Sequence, residues 1–88
     1  MQNHSLRANE WADIATEKYL DMVYRLAWAK MGNKADAEDV TQNVMLRLIS
    51  RAPEIESEEH LKHWLIRVTA NESINLFRSA WHRLTLPL

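Results

Sequence analysis

The only glycine of this chain, Gly32, and the first of its two prolines, Pro53, bracket a stretch whose pattern admits little besides a helix. Asp36 to Arg51 reads DAEDVTQNVMLRLISR. Asp36 is expected to cap the first turn, and Glu38 and Asp39 place negative charge where the helix dipole favours it. Arg47 and Arg51 bring the opposite sign to the other end. Pro53 stops the helix, because it lacks a backbone donor and disfavours helical geometry at Ala52. Ala37, Val40, Val44 and Leu48 recur at spacings of three and four, which makes one apolar stripe, and Met45 and Ile49 are expected to widen it. The opposite face carries Asp39, Gln42, Asn43, Leu46 and Ser50. Folding needs no such face, and Leu46 is expected to be exposed on it.

The rest of the composition agrees with a helical chain. One glycine and two prolines in 88 residues leave little material for tight hairpins, while Ala, Leu, Glu, Lys, Arg and Met are abundant. The expected fold is all-α, a bundle of three to four helices in one domain, since domains run from about 50 to 200 residues. Residues 10–83 are expected to form it, with a tail at 1–9 and a tail or linker at 84–88. The chain has no cysteine, which removes disulfides, thiolate catalysis and cysteine zinc sites together. No apolar run approaches the roughly 20 residues of a membrane span, and no signal peptide is visible. These features point to a cytoplasmic protein that does not enter a membrane.

The net charge of -1 does not announce a nucleic-acid binder, but the charge is unevenly spread. Acids and bases balance as far as Arg51. Residues 52–59 then hold Glu54, Glu56, Glu58 and Glu59 with no base. From His60 onward Lys62, Arg67, Arg78 and Arg83 face Glu72 alone. Contacts with phosphate are therefore expected in the last third.

Along the chain, residues 10–31 read as helical, with Leu20, Val23, Tyr24, Ala27 and Met31 on one stripe and Gly32 as the natural C-cap. Trp11, Tyr19 and Trp28 lie partly off that stripe, as core and edge packing or as a partner contact. The segment APEIESEE, 52–59, is an acidic connector whose Ser57 is suited to cap the next helix. That helix runs from Glu58 to about Arg83. Leu61, Trp64, Leu65 and Val68 form its first buried stripe. Ile66, Ala70, Ile74, Phe77 and Trp81 are then expected to take over as the buried side changes. Beside them Arg67, Asn71, Asn75, Arg78 and His82 form a polar, basic ridge, which is either a solvated face or a nucleic-acid face.

Enzyme chemistry finds no support in these residues. His60 and His63 with Glu59 could suggest a metal, but no HExxH pattern or third ligand accompanies them. Nothing resembles a nucleophile elbow, and one glycine excludes a glycine-rich phosphate loop. No cofactor is implied.

Asp36-Ala37-Glu38-Asp39-Val40-Thr41-Gln42, followed by an apolar run and Leu46-Arg47, resembles the second conserved helix of bacterial sigma factors. The likeness is to the sigma-70 family, extracytoplasmic-function (ECF) group. It extends upstream through Val23-Tyr24-Arg25-Leu26-Ala27 and Met31-Gly32. Downstream it runs through Trp64-Leu65-Ile66-Arg67-Val68-Thr69-Ala70-Asn71 to Phe77-Arg78, so it covers most of the chain. It implies a region 2 domain, in which residues 10–31 are commonly two helices with a break near Thr16 to Tyr19.

The resemblance also implies partners and roles. Asp39, Gln42, Asn43 and Leu46 would dock on the clamp helices of the RNA polymerase β′ subunit. Asn43 stands where the family usually has an acid. The last helix and the loop before it would open the minus-ten promoter element and hold its non-template strand. Asn71 would contact a base, Arg67, Asn75 and Arg78 the backbone, and Trp64 would be buried or at the pocket edge. An anti-sigma protein is a further partner that the family admits. A sigma-like helical module that binds protein and never touches DNA is the alternative, favoured by the acidic loop and near-neutral charge. A small helix-turn-helix protein fits poorly, since it wants a more basic recognition helix.

Overall fold

A computed structural model describes residues 8–51 and 53–85. Expectations for residues 1–7, 52 and 86–88 lie outside it. The described residues are all-α, with no strand among them. Helix α1 (Ala8–Ile14) runs through a π-helical turn, Ala15–Tyr19, into α2 (Leu20–Met31). Helices α3 (Lys34–Arg51) and α4 (Glu58–Thr85) follow. The longest helix, α4, has 28 residues, which at 1.5 Å per residue is about 42 Å. The molecule is correspondingly elongated, 61 × 22 × 16 Å.

At Thr16 to Tyr19 the helix widens and is not cut. Thr16 Oγ1 donates to the Ala12 carbonyl at 2.8 Å, a local bond that competes with the regular ladder. Tyr19 leaves helical geometry at φ −123°, ψ −1°. The widened turn keeps Ala15 in the core and lets Tyr19 reach across to α4. Gly32 ends α2 in the left-handed conformation, φ 79°, with its N–H donating to the Trp28 carbonyl at 2.7 Å.

The next helix starts earlier than the sequence suggests. Its cap is Asn33, not Asp36. Asn33 Oδ1 accepts from the Asp36 backbone N–H at 2.9 Å, and Asn33 Nδ2 donates to the Asp36 carboxylate at 2.9 Å. An amide three residues before a carboxylate satisfies an orphan N–H of the first turn, and Asp36 completes the pair from within the helix.

One core joins the helices: Trp11, Ala12 and Ala15, then Val23 and Ala27, then Ala37, Val40, Val44 and Leu48, then Ile55, Leu61, Trp64 and Leu65. The α3 stripe is buried as its spacing requires, with Met45 half-buried beside it. Ile49 does not widen that stripe. It is exposed, as is Leu20 on α2, because both sit at the rim of an open cleft between α2 and α3. Trp28 is exposed and packs on Tyr24 in a tilted arrangement, ring centroids 6.0 Å apart, while Trp11 is buried.

The buried side of α4 does not change as expected. After Leu61, Trp64 and Leu65 it continues through Thr69, Glu72 and Ser73, with Leu76 packed partly behind them. Ile66, Ile74, Phe77 and Trp81 are exposed, and Ala70 is half-buried. A straight helix presents the same azimuth to its neighbours along its whole length. Residues 69, 72, 73 and 76 continue the azimuth of 61, 65 and 68, whereas 70, 74, 77 and 81 fall on the opposite side. Buried hydroxyls close on their own helix: Thr69 Oγ1 donates to the Leu65 carbonyl at 2.6 Å and Ser73 Oγ to the Thr69 carbonyl at 2.8 Å. Thr41 on α3 does the same toward Ala37 at 2.8 Å.

Candidate functional site

Two surfaces gather the candidate residues. On α3, burial of Ala37, Val40, Val44 and Leu48 turns the other side of the helix outward. Asp39 and Gln42 are exposed there, Asn43 is half-buried, and Leu46 is 56% exposed. Asp39, Asn43 and Leu46 follow at four and three residues, so they share one line. Gln42 stands to one side and borders an apolar cleft of about 730 Å³, which Thr16, Leu20, Tyr24, Met45 and Ile49 also line. An exposed leucine among carboxylate and amide groups is the composition of a protein contact with one apolar anchor.

On α4, Arg67, Asn71, Asn75 and Arg78 are all exposed. Asn71, Asn75 and Arg78 line one cleft of about 400 Å³ between α4 and α3. Arg67 lies a turn before it and does not line it, and exposed His82 continues the ridge beyond. Trp64 is buried in the core, away from this cleft. The cleft also contains residues that the periodicity of either helix leaves unmarked. Arg47 of α3 pairs through Nε with Oε2 of Glu72 on α4, and the Glu72 side chain is only 10% exposed. One signal was available: Glu72 is the sole acid after Glu59. A lone carboxylate in a basic segment invites a search for its counter-charge.

The connector between α3 and α4 is held at its α4 end. Ile55 is buried and anchors its middle. Ser57 caps α4 as its position predicts: the His60 backbone N–H donates to Ser57 Oγ at 3.0 Å. In return His60 Nδ1 accepts from the Glu56 backbone N–H at 3.0 Å, which gives the imidazole a structural use. Glu58, in the first turn of α4, accepts from Tyr19 Oη at 2.8 Å and from Lys18 Nζ at 3.1 Å and 3.2 Å. The Tyr19 hydrogen bond, then Lys18, hold the Glu58 carboxyl below its usual range, and the same bond raises the Tyr19 phenol. One of the four carboxylates between residues 54 and 59 is thereby tied to the bundle, while Glu54, Glu56 and Glu59 are exposed. Among the described residues no cluster of three or more His, Asp or Glu could hold a metal ion, and no helix is long and apolar enough to cross a membrane.

Comparison with known proteins gives this arrangement a family. Residues 16–83 match the Sigma-70 region 2 family. The chain is 35% identical over 66 residues to the ECF RNA polymerase sigma factor SigE of Mycolicibacterium smegmatis, covering 75% of this chain and 25% of the relative. It is 29% identical over 68 residues to the ECF RNA polymerase sigma factor SigW of Bacillus subtilis, covering 77% and 36%. To the ECF RNA polymerase sigma factor BldN of Streptomyces coelicolor it is 32% identical over 69 residues, covering 77% and 26%. The chain thus spans about a quarter to a third of the length of these relatives. No solved structure matches it. Because the match takes in α2, α3 and nearly all of α4, the chain belongs to the sigma-70 region 2 family.

Proposed function

We propose that residues 10–83 act as a transcription-initiation domain, docking on RNA polymerase and recognising and melting the minus-ten promoter element. Membership of a non-enzymatic family supports the class of function. The observation that carries the finer reading is the convergence of Asn71, Asn75 and Arg78 in one cleft, on the side of α4 that the core leaves free. Unstacking a base costs a few kcal/mol, which a protein offsets with a site for the extruded base and cations along the strand. Asn71 takes the base contact. Arg67, Asn75 and Arg78 serve the non-template backbone, and buried Trp64 holds the helix beneath them. Asp39, Gln42, Asn43 and Leu46 dock on the β′ clamp helices, with Leu46 as the apolar anchor. Such work belongs in the cytoplasm.

A second reading rests on a different observation. Ile74, Phe77, Trp81 and Leu84 follow at three, four and three residues along α4 and are 50%, 63%, 62% and 82% exposed. An apolar line of this spacing suits a helical protein partner, such as an anti-sigma protein or, in a module that never touches DNA, a regulator. Fluorescence anisotropy of labelled non-template minus-ten oligonucleotides, single-stranded and duplex, across a salt series separates the two. Sequence-dependent, single-strand-preferring binding is expected. Asn71→Ala should mainly reduce discrimination between sequences, and Arg78→Ala should weaken binding on all of them and flatten the salt dependence. Folded protein that binds no strand even at low salt would leave the protein-only module, with a core-polymerase pull-down as its test.

A further inference from the structure

We propose that Arg47, on the docking helix α3, is a phosphate-binding cation of the α4 cleft, and that Glu72 is its positioning residue. The proposal rests on the nucleic-acid reading of that cleft and adds to it a residue from the other helix.

Periodicity alone gives Arg47 a modest part, as a positive charge in the last third of α3. The structure gives it a specific orientation. Its guanidinium lies against Glu72 and lines the same cleft as Asn71, Asn75 and Arg78. The contact runs from Nε to Oε2 of Glu72. A guanidinium carries four further N–H donors on its Nη atoms, and these can meet a phosphate while the Nε edge stays engaged. The Arg47 side chain is 37% exposed, against 10% for Glu72, so the pair shows its cation to solvent and hides its anion. Two arginines then border one cleft, Arg47 from α3 and Arg78 from α4, with two amide side chains beside them.

Glu72 matters for what it does not do as well. A bare carboxylate in this cleft would repel a phosphate. With its charge matched by Arg47 and its oxygens largely shielded, it instead fixes the rotamer of a long side chain that would otherwise lose entropy on binding. The alternative is a purely structural ion pair that holds α3 to α4 and never meets a ligand.

The discriminating variant is the double substitution Arg47→Gln, Glu72→Gln. It removes one charge of each sign, so the net charge stays at -1. Two amides can still hydrogen-bond across the helices, and replacing such a pair by neutral groups is often tolerated. The measurement is the slope of log Kd against log salt for a single-stranded minus-ten oligonucleotide and for a scrambled one, with circular dichroism as the check on folding. Loss of one phosphate contact on a single strand should flatten the slope by about 0.7 on both sequences. Arg47→Lys should keep the slope while weakening binding, because the charge stays and the fixed fork is lost. A folded double variant with the wild-type slope, in a protein whose Arg78→Ala variant does lose slope, would overturn the proposal and leave the pair structural. Wild-type protein that binds neither strand would sink the nucleic-acid reading itself, and this proposal with it.

Discussion

The two halves of α4 use opposite chemistry on the same azimuth. From Leu61 to Leu65 the helix buries leucine and tryptophan and shows polar groups to solvent, as an amphipathic helix should. From Thr69 to Ser73 it buries two hydroxyls and a carboxylate, while Ile74, Phe77 and Trp81 stand exposed. The reversal shows that local hydrophobicity does not choose the packed side of a long rigid helix. The first half sets the azimuth, where Leu61, Trp64 and Leu65 enter the core. The second half must continue along it, whatever residues it carries. Burial is tolerable there because each polar group has a partner: hydroxyls on their own helix, Glu72 on Arg47.

The first half of α4 should be the more sensitive to substitution. Leu65 is fully buried, so Leu65→Ala should remove about 2–5 kcal/mol and lower the melting temperature by 10 °C or more, read by thermal denaturation. A loss below about 1 kcal/mol would mean that the first half does not set the azimuth. Next comes the buried carboxylate. Glu72→Ala leaves Arg47 without its counter-charge, and the cost should be about 1–2 kcal/mol. That is less than the 3–5 kcal/mol of a fully buried pair, because Arg47 is partly in water. Denaturant midpoints for Glu72→Ala and for the Arg47→Gln, Glu72→Gln double variant sharpen this: the double variant should recover part of the loss.

How much of this could be read in advance follows the same division. Where an apolar residue is buried because it is apolar, periodicity finds it: Ala37, Val40, Val44 and Leu48 are buried as spaced, Gly32 and Ser57 cap as placed, and Leu46 is exposed. Three things escape such reasoning for physical reasons. Asn33 and Asp36 are both good caps three residues apart, and the choice depends on where α2 releases the chain, so α3 begins at Lys34. Ile55 is buried inside an acidic connector, where no periodicity exists to mark it. The line Ile74, Phe77, Trp81 looks more like a core stripe than Thr69, Glu72, Ser73 does, and only the tertiary path of α4 decides between them. The candidate site divides likewise. The outward face of α3 follows from its buried stripe, whereas Arg47 and Glu72 are 25 positions apart and meet only in the fold.

A smaller effect tests how the start of α4 is tied to the bundle. Glu58 has its folded pKa lowered, first by the Tyr19 hydroxyl and then by Lys18. A carboxylate of this kind contributes stability above its unfolded pKa, near 4, and loses it as pH falls through the folded value. Tyr19 has its folded pKa raised by the same bond, so its contribution is present below its unfolded value near 10 and fades as pH rises above it. Melting temperatures measured from pH 7 down to 3 should therefore fall more steeply for the wild type than for Glu58→Gln, and Tyr19→Phe should narrow the difference. Parallel curves would show that the contact is not maintained in solution.

The smallest effect is also the sharpest test of the reversal. Phe77 is 63% exposed, so Phe77→Ser should change stability by no more than about 0.5 kcal/mol, although an aromatic core residue would cost several. The companion substitution Ile74→Ser, at a half-exposed site, should stay within a similar margin. If both are neutral to folding, the apolar line on the second half of α4 owes nothing to the core, and any function it has must lie in contacts made outside this domain. A loss of 2 kcal/mol or more for Phe77→Ser, read from denaturant midpoints at constant slope, would place the ring inside the fold in solution. The buried side of α4 would then change along its length, as its apolar periodicity suggests, and the polar residues at 69, 72 and 73 would face water.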